Sequence, residues 1–168
     1  LNCFVIYINS VETINKGEIH IVEPDLDILV RSAVASGNLK ATTQPEAADA
    51  FILAVPTPFK SGNKPDLSYL KQAVQALAPV LEKGNLVVLE STSPVGTTQQ
   101  IATWLSAARP DLSFPGAHNN DSDICIAHSP ERVLPGRVLI ELVDNDRVIG
   151  GLTETCSKRA RDLYTLFV

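Results

Sequence analysis

The 168-residue sequence predicts an α/β protein with a doubly wound, mainly parallel sheet, and three observations lead there. Short apolar runs over 50–55 and 85–90 end at polar or proline-rich turns, as strands buried on both faces of a parallel sheet do. Between such runs lie longer segments with apolar residues three and four apart, each one stripe facing a core. Strand and helix patterns then alternate along the chain, which is how a doubly wound sheet is built.

Taken in order, residues 3–8 read as a strand, 23–35 as a helix stopped by Gly37, and 39–42 as a short strand. A helix follows 50–55, with Asp66 as its N-cap after Pro65 and Leu67, Leu70, Val74, Leu77 and Leu81 as its stripe. Gly84 ends it. After the strand at 85–90, Ser93 is the expected N-cap and Pro94 the first residue of a helix reaching Ala108, where Arg109-Pro110 stops it. Residues 111–122 form a polar loop, 124–127 and 147–149 are strand candidates, and 153–167 is a closing helix. With no internal repeat or linker, residues 1–168 read as one domain.

The composition, 45% hydrophobic and 20% charged, is that of an ordinary globular chain. A net charge of −5 disfavours nucleic acid and anionic membrane as partners, and no apolar run approaches the roughly 20 residues of a membrane helix. Cys3, Cys125 and Cys156 are scattered, without metal-ligand spacing. They suit free thiols in a reducing cytoplasm, so a cytoplasmic protein without a metal site is expected. Leu1 is not an initiator methionine and a strand pattern begins at once. The expectation is a chain that starts inside a domain.

Five stretches carry a family resemblance: Gly17-Glu18-Ile19-His20-Ile21-Val22-Glu23-Pro24-Asp25-Leu26, Ala54-Val55-Pro56-Thr57-Pro58-Phe59-Lys60, Glu90-Ser91-Thr92-Ser93-Pro94-Val95-Gly96-Thr97-Thr98, Ser129-Pro130-Glu131-Arg132-Val133-Leu134-Pro135-Gly136 and Asn145-Asp146-Arg147-Val148-Ile149-Gly150-Gly151. In order and spacing they resemble the N-terminal half of the UDP-glucose/GDP-mannose dehydrogenase family, in particular its UDP-N-acetylmannosamine branch. The resemblance implies a Rossmann-like sheet and an NAD-dependent oxidation of UDP-N-acetylmannosamine to its uronate for surface-polysaccharide synthesis. It implies two NAD per turnover, passing from alcohol to aldehyde to a cysteine thioester that water hydrolyses. For the complete enzyme it also implies a homo-oligomer.

Each candidate has two readings. Val55-Pro56-Thr57-Pro58 follows a buried strand, where open α/β sheets place ligands; spacing alone leaves Thr57 balanced between capping a turn and meeting a cofactor. The resemblance implies that Thr57 and Thr98 contact NAD and that Thr92 orients the hydrolytic water. Thr98 otherwise reads as an exposed first-turn hydroxyl. Glu131 is the general-base candidate; Arg132 and Val133 are implied substrate contacts, the guanidinium suiting phosphate. From spacing alone Glu131-Arg132 is a surface ion pair. His128 ends the strand before this loop and reads as structural, His20 and His118 lie in loops without partners in sequence, Cys156 reads as a core or surface thiol, and Lys158, Arg159 and Arg161 read as a solvated face.

Three features depart from the family. No glycine precedes Gly17, so the Gly-x-Gly-x-x-Gly turn that approaches a pyrophosphate is not in this sequence. Val5 or Tyr7 falls where an acidic residue should hold the adenosine ribose. The family's catalytic Lys and nucleophilic Cys are expected beyond Val168. The sheet is therefore expected to be incomplete at its N-terminus, either with a gap beside 50–55 or with 3–8 slipped into the vacancy. Two alternatives stay open: a non-catalytic truncated remnant of such an enzyme, and another Rossmann-type dehydrogenase.

Overall fold

The computed structural model describes residues 2–4, 8–19, 21–116 and 121–167, and the side chains of all of these except 2–4, 8 and 9. The expectations on Val5, Tyr7, His20 and His118, and on the Cys3 thiol, lie outside what is described. Two compact units divide the chain, Leu1–Glu46 with Arg132–Asn145 and Ala47–Glu131 with Asp146–Val168.

The first unit contains β1 (Asn2–Phe4), α1 (Ile8–Asn15), α2 (Leu26–Ala35), β2 (Lys40–Thr42) and, further along the chain, α5 (Val138–Asp144). β1 and β2 pair in parallel, Cys3 opposite Ala41. The expected strand over 3–8 is thus corrected: strand is described over Asn2–Phe4, and Ile8 already opens a helix. Both α1 and α5 escaped the sequence reading. Each is short, and α5 buries none of its side chains, so neither presents a full apolar stripe. Asn15 ends α1 and works as a strand in miniature, its side-chain amide donating to the Ala41 carbonyl at 2.9 Å and accepting from the Ala41 N–H at 2.8 Å. That satisfies the buried backbone of β2 on its outer edge.

The second unit holds the main sheet, ordered β3 (Ala50–Leu53), β6 (Leu86–Leu89), β7 (Cys125–His128) and β8 (Gly150–Gly151). The first three strands are parallel, and β8 runs antiparallel to β7. The strand expected at 147–149 is therefore displaced to two glycines and reversed. Among the described residues β3 pairs only with β6, and β1 pairs with β2.

All four residues of β6 are buried, and their alternation splits them between two cores. Val87 and Leu89, with Ile126 of β7, face α3 (Ser68–Leu77) and α4 (Thr97–Ala108), where Leu70, Val74, Leu77, Ile101 and Leu105 pack. Leu86 and Val88, with Cys125 and Ala127, face α6 (Glu154–Tyr164) through Cys156, Ala160 and Tyr164. Each fully buried aliphatic side chain contributes roughly 1.5–3 kcal/mol. Two buried faces explain why β6 reads as an unbroken apolar run.

The caps differ in detail from expectation. α3 begins at Ser68, one residue later than a cap at Asp66 requires, yet the Asp66 carboxylate still accepts the Ser68 N–H at 2.9 Å. With Lys60 beside it as well, that carboxyl is lowered to about 2. A single 3-10 turn, Ala78–Val80, extends the helix. At its end Arg109 donates to the carbonyls of Ala78 and Leu81, both at 2.8 Å, while its other nitrogens hold Asp111. Ser93 does not cap α4. Gly96 takes that position with φ 92°, a backbone conformation that favours glycine. A small hairpin, β4 (Phe59–Lys60) with β5 (Lys64–Pro65), was also unforeseen, since Pro65 reads as a strand breaker; here it sits on an edge.

The two cysteines with described side chains are buried free thiols. The Cys156 sulfur accepts the Ile126 N–H at 3.4 Å, placing it in the core. Lys158 and Arg161 are exposed as expected, whereas Arg159 is half-buried.

One close approach gives a sharp test. A Cβ added to Gly151 would lie 2.6 Å from Cys156 Cβ and collide with the Ser157 backbone nitrogen, whereas one on Gly150 would meet nothing within 4 Å. Gly151→Ala is expected to lower stability by about 1–3 kcal/mol through overpacking, and Gly150→Ala by much less. Urea-denaturation midpoints of the two variants check it; equal midpoints would overturn the close packing of β8 on α6.

Candidate functional site at the carboxyl ends of the parallel strands

Three chain segments leave the sheet side by side. Ala54-Val55-Pro56-Thr57 follows β3, Glu90-Ser91-Thr92 follows β6, and Ser129-Pro130-Glu131 follows β7. The ladder steps on past the strand ends: Glu90 and Ser91 donate their N–H groups to the Leu53 carbonyl, Ser129 to Leu89, and Glu131 to Glu90 at 3.2 Å. The loops are consequently held in register as extensions of the strands.

Ser91 ties the first two loops together. Its hydroxyl oxygen accepts the Val55 N–H at 2.8 Å and lies 2.7 Å from the Val55 carbonyl and 3.2 Å from that of Leu53. Thr57 adds a second tie, its hydroxyl donating to the Thr92 carbonyl at 2.6 Å. Between the loops lies an open cleft of about 390 Å³ lined by Ala54, Val55, Pro56, Glu90, Ser91, Thr92 and Glu131.

Of the residues singled out in sequence, Thr92 and Glu131 form walls of this cleft, and Thr57 is bonded to its edge. Thr98 is placed differently. It lies in the first turn of α4, its hydroxyl 3.1 Å from the Gln99 side-chain oxygen, and is not among the lining residues. Ser93, at the turn into α4, has a buried hydroxyl without a partner among the described residues. Arg132 and Val133 fall in the other compact unit; there Arg132 is exposed and Val133 half-buried. The loop that follows them is fastened within that unit, the Gly136 N–H donating to both oxygens of Glu23 at 3.0 and 2.9 Å.

The sequence reading missed the charged cluster behind the cleft. The Arg147 side chain is only 10% exposed, and its guanidinium reaches Glu131 at 3.1 Å and Glu90 at 3.4 Å. The guanidinium carbon also stands 4.5 Å from the Tyr164 ring centroid, an arrangement worth up to about 2 kcal/mol where water is excluded. The Tyr164 hydroxyl donates to Glu90 at 3.1 Å. Burial raises the Glu90 carboxyl above its ordinary value, and the neighbouring Glu131 charge adds to this against Tyr164 and Arg147. Burial and the charge of Glu90 together push the Tyr164 phenol up to about 12. An arginine three residues before a glycine pair was the sole sequence signal, and it was absorbed into an expected strand.

A group whose carboxyl is raised in the folded state favours folding most below its ordinary value of 4.5 and gives up that contribution as pH rises through the raised one. Urea midpoints of the wild type should therefore fall relative to those of Glu90→Gln as pH rises above 4.5. Parallel pH profiles would show that Glu90 carries no such burden.

Among the described residues, no group of His, Cys, Asp or Glu is placed to hold a metal ion, and no helix is long and apolar enough to cross a membrane. Comparison with known proteins agrees with the strand-end architecture. The chain is 65% identical over 160 residues to an NDP-N-acetyl-D-galactosaminuronic acid dehydrogenase of Ralstonia nicotianae, and 60% identical over 160 residues to a UDP-N-acetyl-D-mannosamine dehydrogenase of Yersinia pestis. Each match covers 95% of this chain and 38% of the relative, so the chain spans well under half the length of those proteins. The solved UDP-D-ManNAc dehydrogenase of Pyrococcus horikoshii superposes with a TM-score of 0.90 at 38% identity, over 99% of this chain and 39% of that one. The family model for the NAD-binding domain of the UDP-glucose/GDP-mannose dehydrogenases matches residues 3–168, and the chain therefore belongs to that family.

Proposed function

We propose that this chain supplies the cofactor side of a cytoplasmic NAD-dependent dehydrogenase that oxidises the C6 alcohol of a UDP-linked 2-acetamido sugar, UDP-N-acetylmannosamine, to the carboxylate. The observation that carries the reading is the cleft at the ends of β3, β6 and β7, with Thr92 and the Glu131 carboxylate both among its lining residues. Open α/β sheets bind their ligands at that edge. NAD would accept the hydride. The Thr57 and Thr98 hydroxyls and the buried Ser93 hydroxyl would hold it, near the N-terminus of α4, whose free N–H groups suit an anion.

The remaining roles are those that the family resemblance implies for these residues. Glu131 would take a proton from the water that attacks the acyl intermediate, and Thr92, which also lines the cleft, would orient that water. Arg132, exposed, would offer a fork to the substrate's phosphates, with Val133 beside it through its backbone. Cys125 and Cys156 are buried thiols outside the cleft lining, so neither suits the nucleophile that a thioester route needs. The partner segments completing the reaction, and a homo-oligomeric state, belong to the whole enzyme. UDP-N-acetylgalactosamine is the second reading of the substrate, because the Ralstonia nicotianae relative is named for the galacto uronate.

Two tests follow. A chimaera in which residues 3–168 replace the matching segment of the Yersinia pestis enzyme should reduce NAD with UDP-N-acetylmannosamine, and Glu131→Gln in it should slow turnover by about 10²-fold or more with little change in substrate KM. Turnover only with UDP-N-acetylgalactosamine would select the second reading, and unchanged kcat would remove Glu131 from the mechanism. The 168-residue chain alone should show no turnover and bind NAD only at millimolar concentration. It has no glycine-rich pyrophosphate turn, each charge-assisted hydrogen bond is worth about 1.5–3 kcal/mol, and about 1.4 kcal/mol is tenfold in affinity. Micromolar binding by calorimetric titration would show that the threonine contacts suffice.

A further inference from the structure

We propose that Arg147 is the positioning residue of the cleft, a single buried guanidinium that fixes where the Glu131 carboxylate stands. The inference rests on the role given to Glu131 above and deepens it. Three contacts hold Arg147 in place. One terminal nitrogen reaches Glu90 at 3.4 Å, the other reaches Glu131 at 3.1 Å, and the guanidinium plane lies against Tyr164. Tyr164 in turn donates its hydroxyl to Glu90, so the cluster closes into a ring of contacts. The elements involved are independent of one another in sequence: the loop after β6, the loop after β7, the approach to β8 and the last turn of α6.

The geometry separates positioning from simple pairing. Arg147 is 10% exposed and Glu90 19%, but Glu131 is 34% exposed and lines the cleft. The guanidinium is thus anchored on one side by Glu90 and Tyr164 and presents its other nitrogen to Glu131, the more exposed of the two carboxylates that line the cleft. A planar fork can span two carboxylates while stacking on a ring; an ammonium, a point charge on a flexible stem, cannot do both. A Glu side chain in water samples several staggered rotamers, and a proton acceptor is useful only from one of them.

The test reads the orientation of Glu131 directly. In the uniformly ¹³C,¹⁵N-labelled 168-residue chain, vicinal carbon couplings across the Glu131 side chain report whether it keeps one rotamer. The wild type should show single-rotamer couplings. Arg147→Lys should average them while the amide spectrum of β6, β7 and α6 is retained, a change that loss of a merely structural contact elsewhere would not produce. Glu90→Gln keeps the Arg147–Glu131 contact and should leave the couplings of Glu131 single. Averaged couplings in the wild type would overturn the proposal, as would unchanged couplings in a folded Arg147→Lys, or Glu131 averaging in Glu90→Gln. If Arg147→Lys does not fold, the wild-type and Glu90→Gln spectra still decide. No cofactor or sugar is added, so unchanged kcat in the Glu131→Gln chimaera would defeat the functional reading and leave this result standing, while a freely rotating Glu131 would do the reverse.

Discussion

The structure depends above all on burying the parallel ladder of β6 and β7 on both faces. Backbone groups in those strands have no access to water and must pair with each other, and their side chains alternate between the α3/α4 layer and the α6 layer. Once that ladder is closed, little freedom remains at its carboxyl end. The next N–H groups continue stepping across to Leu53, Leu89 and Glu90, so the loops that line the cleft inherit the register of the core. The site is rigid because the sheet is, and its hydroxyl ties through Ser91 and Thr57 consolidate a geometry already imposed.

Charge at that end is handled differently from charge elsewhere in the second unit. On the surface, pairs such as Lys158–Asp162 stand in solvent, where they add little to stability. Behind the cleft, two carboxylates share one guanidinium in a place where burial already disfavours ionised Glu90. Such a cluster is weak evidence for stability, since desolvation offsets much of the attraction. Its value lies in specificity of arrangement. Removing the cation would leave like charges facing each other. An aromatic ring as the floor adds orientation without adding charge.

The smaller unit follows another logic. Its described helices α2 and α5 bury no side chain completely, and order comes from polar fastenings instead. Asn15 completes the edge of β2, and Glu23 grips the Gly136 amide across more than a hundred residues of sequence. The same Glu131-Arg132 dipeptide that reads as one motif is divided at this point, Glu131 packing with the sheet unit and Arg132 with the other. A short motif in sequence can serve two bodies at once.

By itself the sequence determined the class and most of the main sheet. Runs buried on both faces cannot hide, because every position must be apolar, and so β6, β7 and the stripe of α3 were legible to within a residue or two. The motifs after those strands placed Thr57, Thr92 and Glu131 at one edge for the same reason: a parallel sheet delivers all its strand ends to one side. The tertiary structure alone decided what local pattern underdetermines. Helices α1 and α5 lack a full apolar stripe, Gly150–Gly151 pairs backward for want of side chains that would mark a strand, and Gly96 rather than Ser93 starts α4 because backbone conformation, not side-chain chemistry, rules that turn. The partnership of Arg147 with Glu90, Glu131 and Tyr164 was the least legible of all. Its members are separated by up to 74 residues, and nothing in the spacing of a lone arginine reveals that folding will bury it between two carboxylates and an aromatic ring.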